Sequence, residues 1–275
     1  MSKIDFNALF GSHRKSSLSK DKVPNRNGMI EKSLTKTPES DRNSFSLEAD
    51  FLESMDDVDI QVKKKAIKSV YNKCVYFLQS LEGKAIQNTV LSIDMVNSTA
   101  KVKPLSSEAT GEFYQTFIEN VSDLIECCGG YVLKNAGDAV LGFFPCSEHY
   151  TENHDKAVSC GLNILDMIEH SLAPYYMKRG LPCITCRISA DFGETKVLRI
   201  SSNGDYATID LFGSVMNSAV KISHCAMPNQ MVIGDNLFWE LMHADGFDFK
   251  LLNRWDPSGR HSYPVYLVKR RELRK

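Results

Sequence analysis

Residues 129–144 read GGYVLKNAGDAVLGFF, two apolar runs around a turn of Asn, Ala, Gly and Asp. That pattern specifies a β-hairpin. Two of its residues do not suit a hairpin built only for a core: Lys134 lies in the middle of the first strand, and Asp138 occupies the turn. The elements on either side give the hairpin its setting. NTVLSIDM predicts a strand, and Phe113, Phe117, Val121, Leu124 and Cys128 mark one face of a helix that Gly129–Gly130 stops. After the hairpin, a helix over about 153–172 carries Ala157, Cys160, Ile164 and Ile168 on one face. CITCRISADFG then predicts a strand that turns into TKVLRIS. The order β-α-β-β-α-β is the ferredoxin-like arrangement. A strand near ATIDLF follows, then a helix from about 214, a strand-helix unit at 230–243 and two closing strands. The expected class is α+β, an α/β sandwich with a ferredoxin-like βαββαβ core and a C-terminal extension.

The rest of the chain divides by composition. Residues 1–57 are rich in Ser, Lys and Asn with scattered apolar residues, too few to offset chain ordering, which predicts a disordered tail. Within it, IDFNALF offers at most a short amphipathic turn through Phe6, Leu9 and Phe10. Over 58–84 a helix is predicted. Ile60, Ile67, Cys74 and Leu81 recur every seven residues, Val70 and Phe77 fill alternate positions, and Lys63 interrupts them. Such a pattern suits either a short coiled-coil seam or a helix packed on its own domain. The globular domain is expected at 85–272.

Over 275 residues, a hydrophobic content of 43% and a formal net charge of −1 describe a soluble globular protein and give no support to nucleic-acid binding. Nothing resembles a signal peptide or a run long enough to span a bilayer, so a cytoplasmic protein is expected. Cys183 and Cys186 form a CxxC without a second pair at zinc-ribbon spacing. Strand alternation puts Ile184, Cys186 and Ile188 on one face, which makes Cys186 a core residue.

Topology brings distant residues together. In β-α-β-β-α-β the third strand lies beside the first, so the hairpin turn meets the upper end of strand one. Strand one ends at Asp94 and the turn holds Asp138. Each alone is an ordinary strand-end or turn residue. As a pair they suit Mg²⁺, a hard cation that takes one or two carboxylates plus substrate phosphates. Two such ions can activate an attacking oxygen and stabilise a phosphoryl transition state.

Four ordered blocks, LSIDMVNST, GGYVLKNAGDAVLGFF, CRISADFGE and DLFGSVMNSAVK, resemble the class III nucleotidyl cyclases, which form 3′,5′-cyclic nucleotides and release pyrophosphate. The resemblance covers about residues 85–270. It implies that Asp94 and Asp138 bind two Mg²⁺ or Mn²⁺ ions, and that the turn of Asn97, Ser98 and Thr99 lies near the β- and γ-phosphates. It implies that Lys134 reads the purine ring and that Asp210 accepts from the exocyclic amine. A donor and an acceptor so placed suit adenine and therefore ATP. Asn217 matches the asparagine that orients the ribose. The metal aspartates and the base-reading residues of one site come from different subunits in this family, and both sets occur here, which implies a homodimer.

The chain also departs from the family pattern. Lys221 stands where the family usually has an arginine at the α-phosphate, which keeps charge but loses the planar fork. Asn97 falls where glycine is frequent, although asparagine tolerates left-handed backbone. For the family's late basic residue, Arg254 and Arg260 are equal candidates. The expected function is an adenylate cyclase. The alternatives are a nucleotide-binding or dimerisation module without turnover, and a cyclase acting on another base, since some bacterial relatives make cyclic pyrimidine nucleotides.

Overall fold

The computed structural model describes residues 66–146, 152–202, 206–252 and 263–271. Arg254 and Arg260, the expected tail and the first turns of the expected 58–84 helix lie outside them. The described elements begin with α1 (Ala66–Gln79) and β1 (Ala85–Met95), followed by a short α2 (Ser98–Val102) and a long α3 (Ser107–Cys127). The hairpin is β2 (Tyr131–Ala136) and β3 (Ala139–Cys146). Next come α4 (Glu152–Met167), a π-helical turn (Ile168–Leu172) and α5 (Ala173–Lys178). The chain continues with β4 (Cys186–Ser202), β5 (Tyr206–Phe212) and α6 (Ser214–Ile222), and closes with β6 (Gln230–Gly234), α7 (Asp235–Leu241), β7 (Phe247–Leu252) and β8 (Val265–Arg270).

The strands form one sheet in the order β2-β3-β1-β4-β6-β8-β7, with β5 paired to β4. Its first four strands have the order expected of the ferredoxin-like core. β1 is central, antiparallel to β3 on one side and to β4 on the other. The strand that the sequence divides into CITCRISADFG and TKVLRIS is continuous from Cys186 to Ser202. It serves two partners: its first part pairs with β1 and β6, and its far part, 196–202, with β5. Ile184, Cys186 and Ile188 are all buried, as the alternation requires.

The helices form where apolar residues recur on one face. α3 is capped by Ser106, whose Oγ accepts from the Ala109 amide at 3.2 Å, and it buries Phe113, Phe117, Val121 and Leu124. The expected helix from about 153 loosens into the π turn before α5, whose first turn holds Pro174. A proline there has no N–H to give to the preceding turn. Among the described residues, no helix is long and apolar enough to cross a membrane.

α1 packs on its own domain over its described side chains. Cys74 and Leu78 are buried in one cluster with Phe143, Val197 and Leu211, and Phe77 and Leu81 border it. Phe77 stacks on Tyr131 of β2 at 4.3 Å between ring centroids. Leu78→Ala is expected to lower stability by about 2–5 kcal/mol, the usual cost of a cavity at a fully buried leucine. Urea unfolding measures it, and a loss below about 1 kcal/mol would show that α1 is not docked through this residue.

Candidate active site

Strand register builds the first part of the site. Asp94, the penultimate residue of β1, lies opposite Ala139 of β3 and opposite Arg187 of β4. Asp138 immediately precedes Ala139 in the hairpin turn, where Gly137 takes φ 68°, a conformation that favours glycine. The two carboxylates predicted to meet therefore do so at one edge of the sheet. Beyond Met95 the chain turns sharply at Asn97, which adopts φ 57° and ψ 31° and leads into α2. The left-handed conformation expected of asparagine at this glycine-like position is the one observed. Ser98 is buried and its hydroxyl donates to the Asp138 carboxylate, while Thr99 is exposed.

Arg187 was not singled out in the sequence. Its Nη2 donates to Asp94 Oδ2 at 2.9 Å, and its Nε is buried with no hydrogen-bond partner among the described residues. The available signal was a lone cation between Cys186 and Ile188, both buried on the opposite face of a core strand. Only the register with β1 puts that cation against Asp94. His224, just after α6, also acts electrostatically on Asp94.

The balance of charge here is informative. Burial raises the pKa of Asp94 above the ordinary carboxylate range, and the neighbouring Asp138 raises it further, although Arg187 and His224 oppose both. Burial is the largest cause, so the shift records how far Asp94 is withdrawn from water beside a second carboxylate. Among the described residues, no three or more His, Cys, Asp or Glu gather to hold a metal alone. Two carboxylates instead fit Mg²⁺ or Mn²⁺, which completes its shell with water and phosphate oxygens.

The second part of the site lies on β2, β5 and α6. The β2–β3 register shifts between Val132 and Lys134, and such a bulge re-aims the side chain that follows it. Lys134 forms an ion pair with Asp210 of β5, which no sheet pairing links to β2. The other Asp210 oxygen accepts from the Leu211 amide at 2.8 Å. Asn217 and Lys221 stand four residues apart, hence on one face of α6. Asn217 is exposed and Lys221 partly buried. α6 lies over β1 and β4 through Val90, Val215 and Ala219, on the sheet face that carries Asp94 and Arg187 in the alternation.

Because the folded-state pKa of Asp94 is raised, its stabilising contribution is complete below the ordinary carboxylate range and is lost as pH rises through the raised value. At neutral pH ionised Asp94 therefore costs stability, and a divalent cation bound there would relieve that cost. Mg²⁺ is expected to raise the Tm more near neutral pH than in mild acid, and Asp138→Asn should move the Asp94 pKa downward in a carboxyl ¹³C titration. An unchanged Asp94 titration in that variant would show that the two carboxylates are not coupled.

No protein-family model matches the chain. A uridylate cyclase of Burkholderia cepacia is 26% identical over 180 residues, which is 64% of this chain and 76% of that protein. A cytidylate cyclase of Escherichia coli is 24% identical over 158 residues, 54% of this chain but only 34% of the longer relative. Among solved structures, the adenylyl cyclase CyaB from P. aeruginosa superposes with a TM-score of 0.62 at 17% identity, over 70% of this chain and 97% of that one. The guanylate cyclase domain of RhGC from Catenaria anguillulae, in complex with GTP, superposes with a TM-score of 0.59 at 20% identity, over 69% and 100%. The chain has the fold of the class III nucleotidyl cyclase catalytic domain.

Proposed function

We propose that the protein is a nucleotidyl cyclase that converts ATP to 3′,5′-cyclic AMP and pyrophosphate, in two equivalent sites shared across a homodimer. The observation that carries this reading is the meeting of Asp94 and Asp138, two partly buried carboxylates, at one sheet edge in a chain with the cyclase fold. Two divalent cations held there would lower the barrier to phosphoryl transfer by stabilising negative charge on the 3′-oxygen and on the triphosphate.

The chain's own residues do the positioning. Asp94 and Asp138 would hold the cations, and the Asn97–Thr99 turn beside them would face the β- and γ-phosphates. Arg187, whose buried Nε has no hydrogen-bond partner among the described residues, meets the triphosphate from β4. Asn217 orients the ribose so that its 3′-oxygen is in line with the α-phosphorus. As the 3′-O–P bond forms, the hydroxyl proton passes to water and the bond between the α-phosphorus and pyrophosphate breaks. Lys221 meets the charge that develops on the α-phosphate. Lys134 turns to Asp210, so one chain offers two half-sites, and head-to-tail pairing of two chains joins unlike halves.

Lys134 and Asp210 supply a donor and an acceptor, which suits N1 and the N6 amine of adenine and opposes guanine. The two curated relatives favour a second reading, a pyrimidine nucleotide. Cytosine presents an acceptor at N3 beside an amine at N4, the same edge pattern as adenine, whereas uracil reverses it. The pair therefore separates adenine and cytosine, with an amine at C6 or C4, from guanine and uracil, with a carbonyl there, and reach into the site separates adenine from cytosine.

Purified protein incubated with each of the four nucleoside triphosphates and Mg²⁺ or Mn²⁺ is expected to give cyclic AMP as the main product, read by chromatography. Cyclic CMP instead would select the second reading, cyclic UMP would select it while overturning the base-reading role of Lys134 and Asp210, and no cyclic product would decide for a binding module without turnover. Asp138→Ala should abolish product. Lys134→Glu with Asp210→Cys should move preference towards GTP. Lys221→Arg should raise kcat by up to about tenfold, the worth of a second charge-assisted hydrogen bond to phosphate, and an unchanged or lower rate would overturn that role for Lys221.

A further inference from the structure

Asp191 is fully buried in β4 and has none of the roles above. A carboxylate so placed is costly unless donors surround it. Four do. Ser218 Oγ donates to Oδ2 at 2.6 Å and Tyr263 Oη to the same oxygen at 2.7 Å. The Phe192 amide donates to Oδ1 at 2.9 Å, and the Leu237 amide also donates to the carboxylate. Burial still raises its pKa, and these hydrogen bonds oppose the rise. The space is filled as well: a Cβ at Gly234 would stand 2.5 Å from Asp191 Cγ.

These donors come from separate parts of the chain. Ser218 is on α6, directly after Asn217 and three residues before Lys221. Leu237 lies in the first turn of α7. Tyr263 stands at the entry to β8, and its hydroxyl also accepts from the Asn236 amide at 3.2 Å. A second tie lies beside the first on the same strand face, where Ser189 Oγ donates to the Ala219 carbonyl at 2.7 Å. Apolar contacts among Val90, Val215 and Ala219 hold α6 to the sheet. Such contacts are non-directional, whereas hydrogen bonds to a buried carboxylate fix both rotation and translation of the helix.

We propose that Asp191, with Ser218 and Tyr263, is a positioning node that fixes the register of α6 on β4 and so aims Asn217 and Lys221 at the ribose and α-phosphate. The inference rests on the cyclase reading and adds to it a group that never touches substrate. Asp191 acts on the nucleotide only through α6, and Tyr263 brings the C-terminal strand pair to the same carboxylate.

The test uses the full chain and the triphosphate found to be turned over. Ser218→Ala is expected to lower kcat about tenfold, as for a lost hydrogen bond to a charged group, with KM within about twofold. Ser218→Thr, which keeps the hydroxyl, should recover most of the rate, and Tyr263→Phe should fall in the same direction. In an Asn217→Ala background, Ser218→Ala should cost less than about twofold, because residues acting as one unit are not additive. Hydrogen exchange in α6 should quicken in Ser218→Ala and Tyr263→Phe while β1 and β3 are unchanged. Equal losses in both backgrounds, an unaffected kcat, or unchanged exchange in α6 would each overturn the node while leaving the cyclase reading intact. A wild-type chain that forms no cyclic product from any triphosphate would overturn both.

Discussion

The antiparallel pairing of β1 with β3 and β4 is the constraint on which the rest of the site depends. One register sets Asp94 opposite Ala139, and so beside Asp138 in the turn. The other sets Asp94 opposite Arg187. Because side chains alternate across a strand, a slip of one residue would send Asp94 to the opposite face of the sheet. Burial of Val90, Leu91 and Ile93 with no exposed surface makes that slip costly. The hydrophobic core thus holds the register, and the register places the carboxylates.

Charge at the two halves of the site is arranged in opposite ways. Burial first, and then Asp138, hold Asp94 above its ordinary pKa against the opposing charge of Arg187. Lys134 and Asp210 instead satisfy each other. On the proposed function, the first half would take up a cation, whereas a base entering the second would replace one ion pair with two hydrogen bonds of matching polarity. α1 bears on this second half, because its cluster reaches Tyr131 and Leu133 of β2 and Ile209 and Leu211 of β5. Asp210 in turn raises the pKa of Cys74 on that helix, although burial is the larger cause of a value of about 12.

The departures from the family pattern separate into kinds. Asn97 is accommodated locally, since its side chain tolerates the left-handed turn that glycine would otherwise supply. Lys221 bears on the proposed chemistry rather than on folding, because lysine and arginine fit the last turn of α6 equally well. Apart from these departures, Asp191 and Ser218 make a buried polar contact between β4 and α6.

The sequence by itself determined the order of elements, the hairpin with Lys134 and Asp138, and the neighbourhood of Asp94 and Asp138. Those follow from hydrophobic period and from a topology rule, both local or combinatorial. It also marked Asn97, Asp210, Asn217 and Lys221 through four ordered blocks. Only the tertiary structure decided that CITCRISADFG and TKVLRIS are one strand, because Gly193 and Glu194 resemble a turn until β1 pairs across them. Only it brought Arg187 to Asp94, Lys134 to Asp210 across strands that are not neighbours, and Ser218 and Tyr263 to Asp191. Each of these depends on which strand lies beside which and how far the sheet coils, and those are set by pairing between segments tens of residues apart.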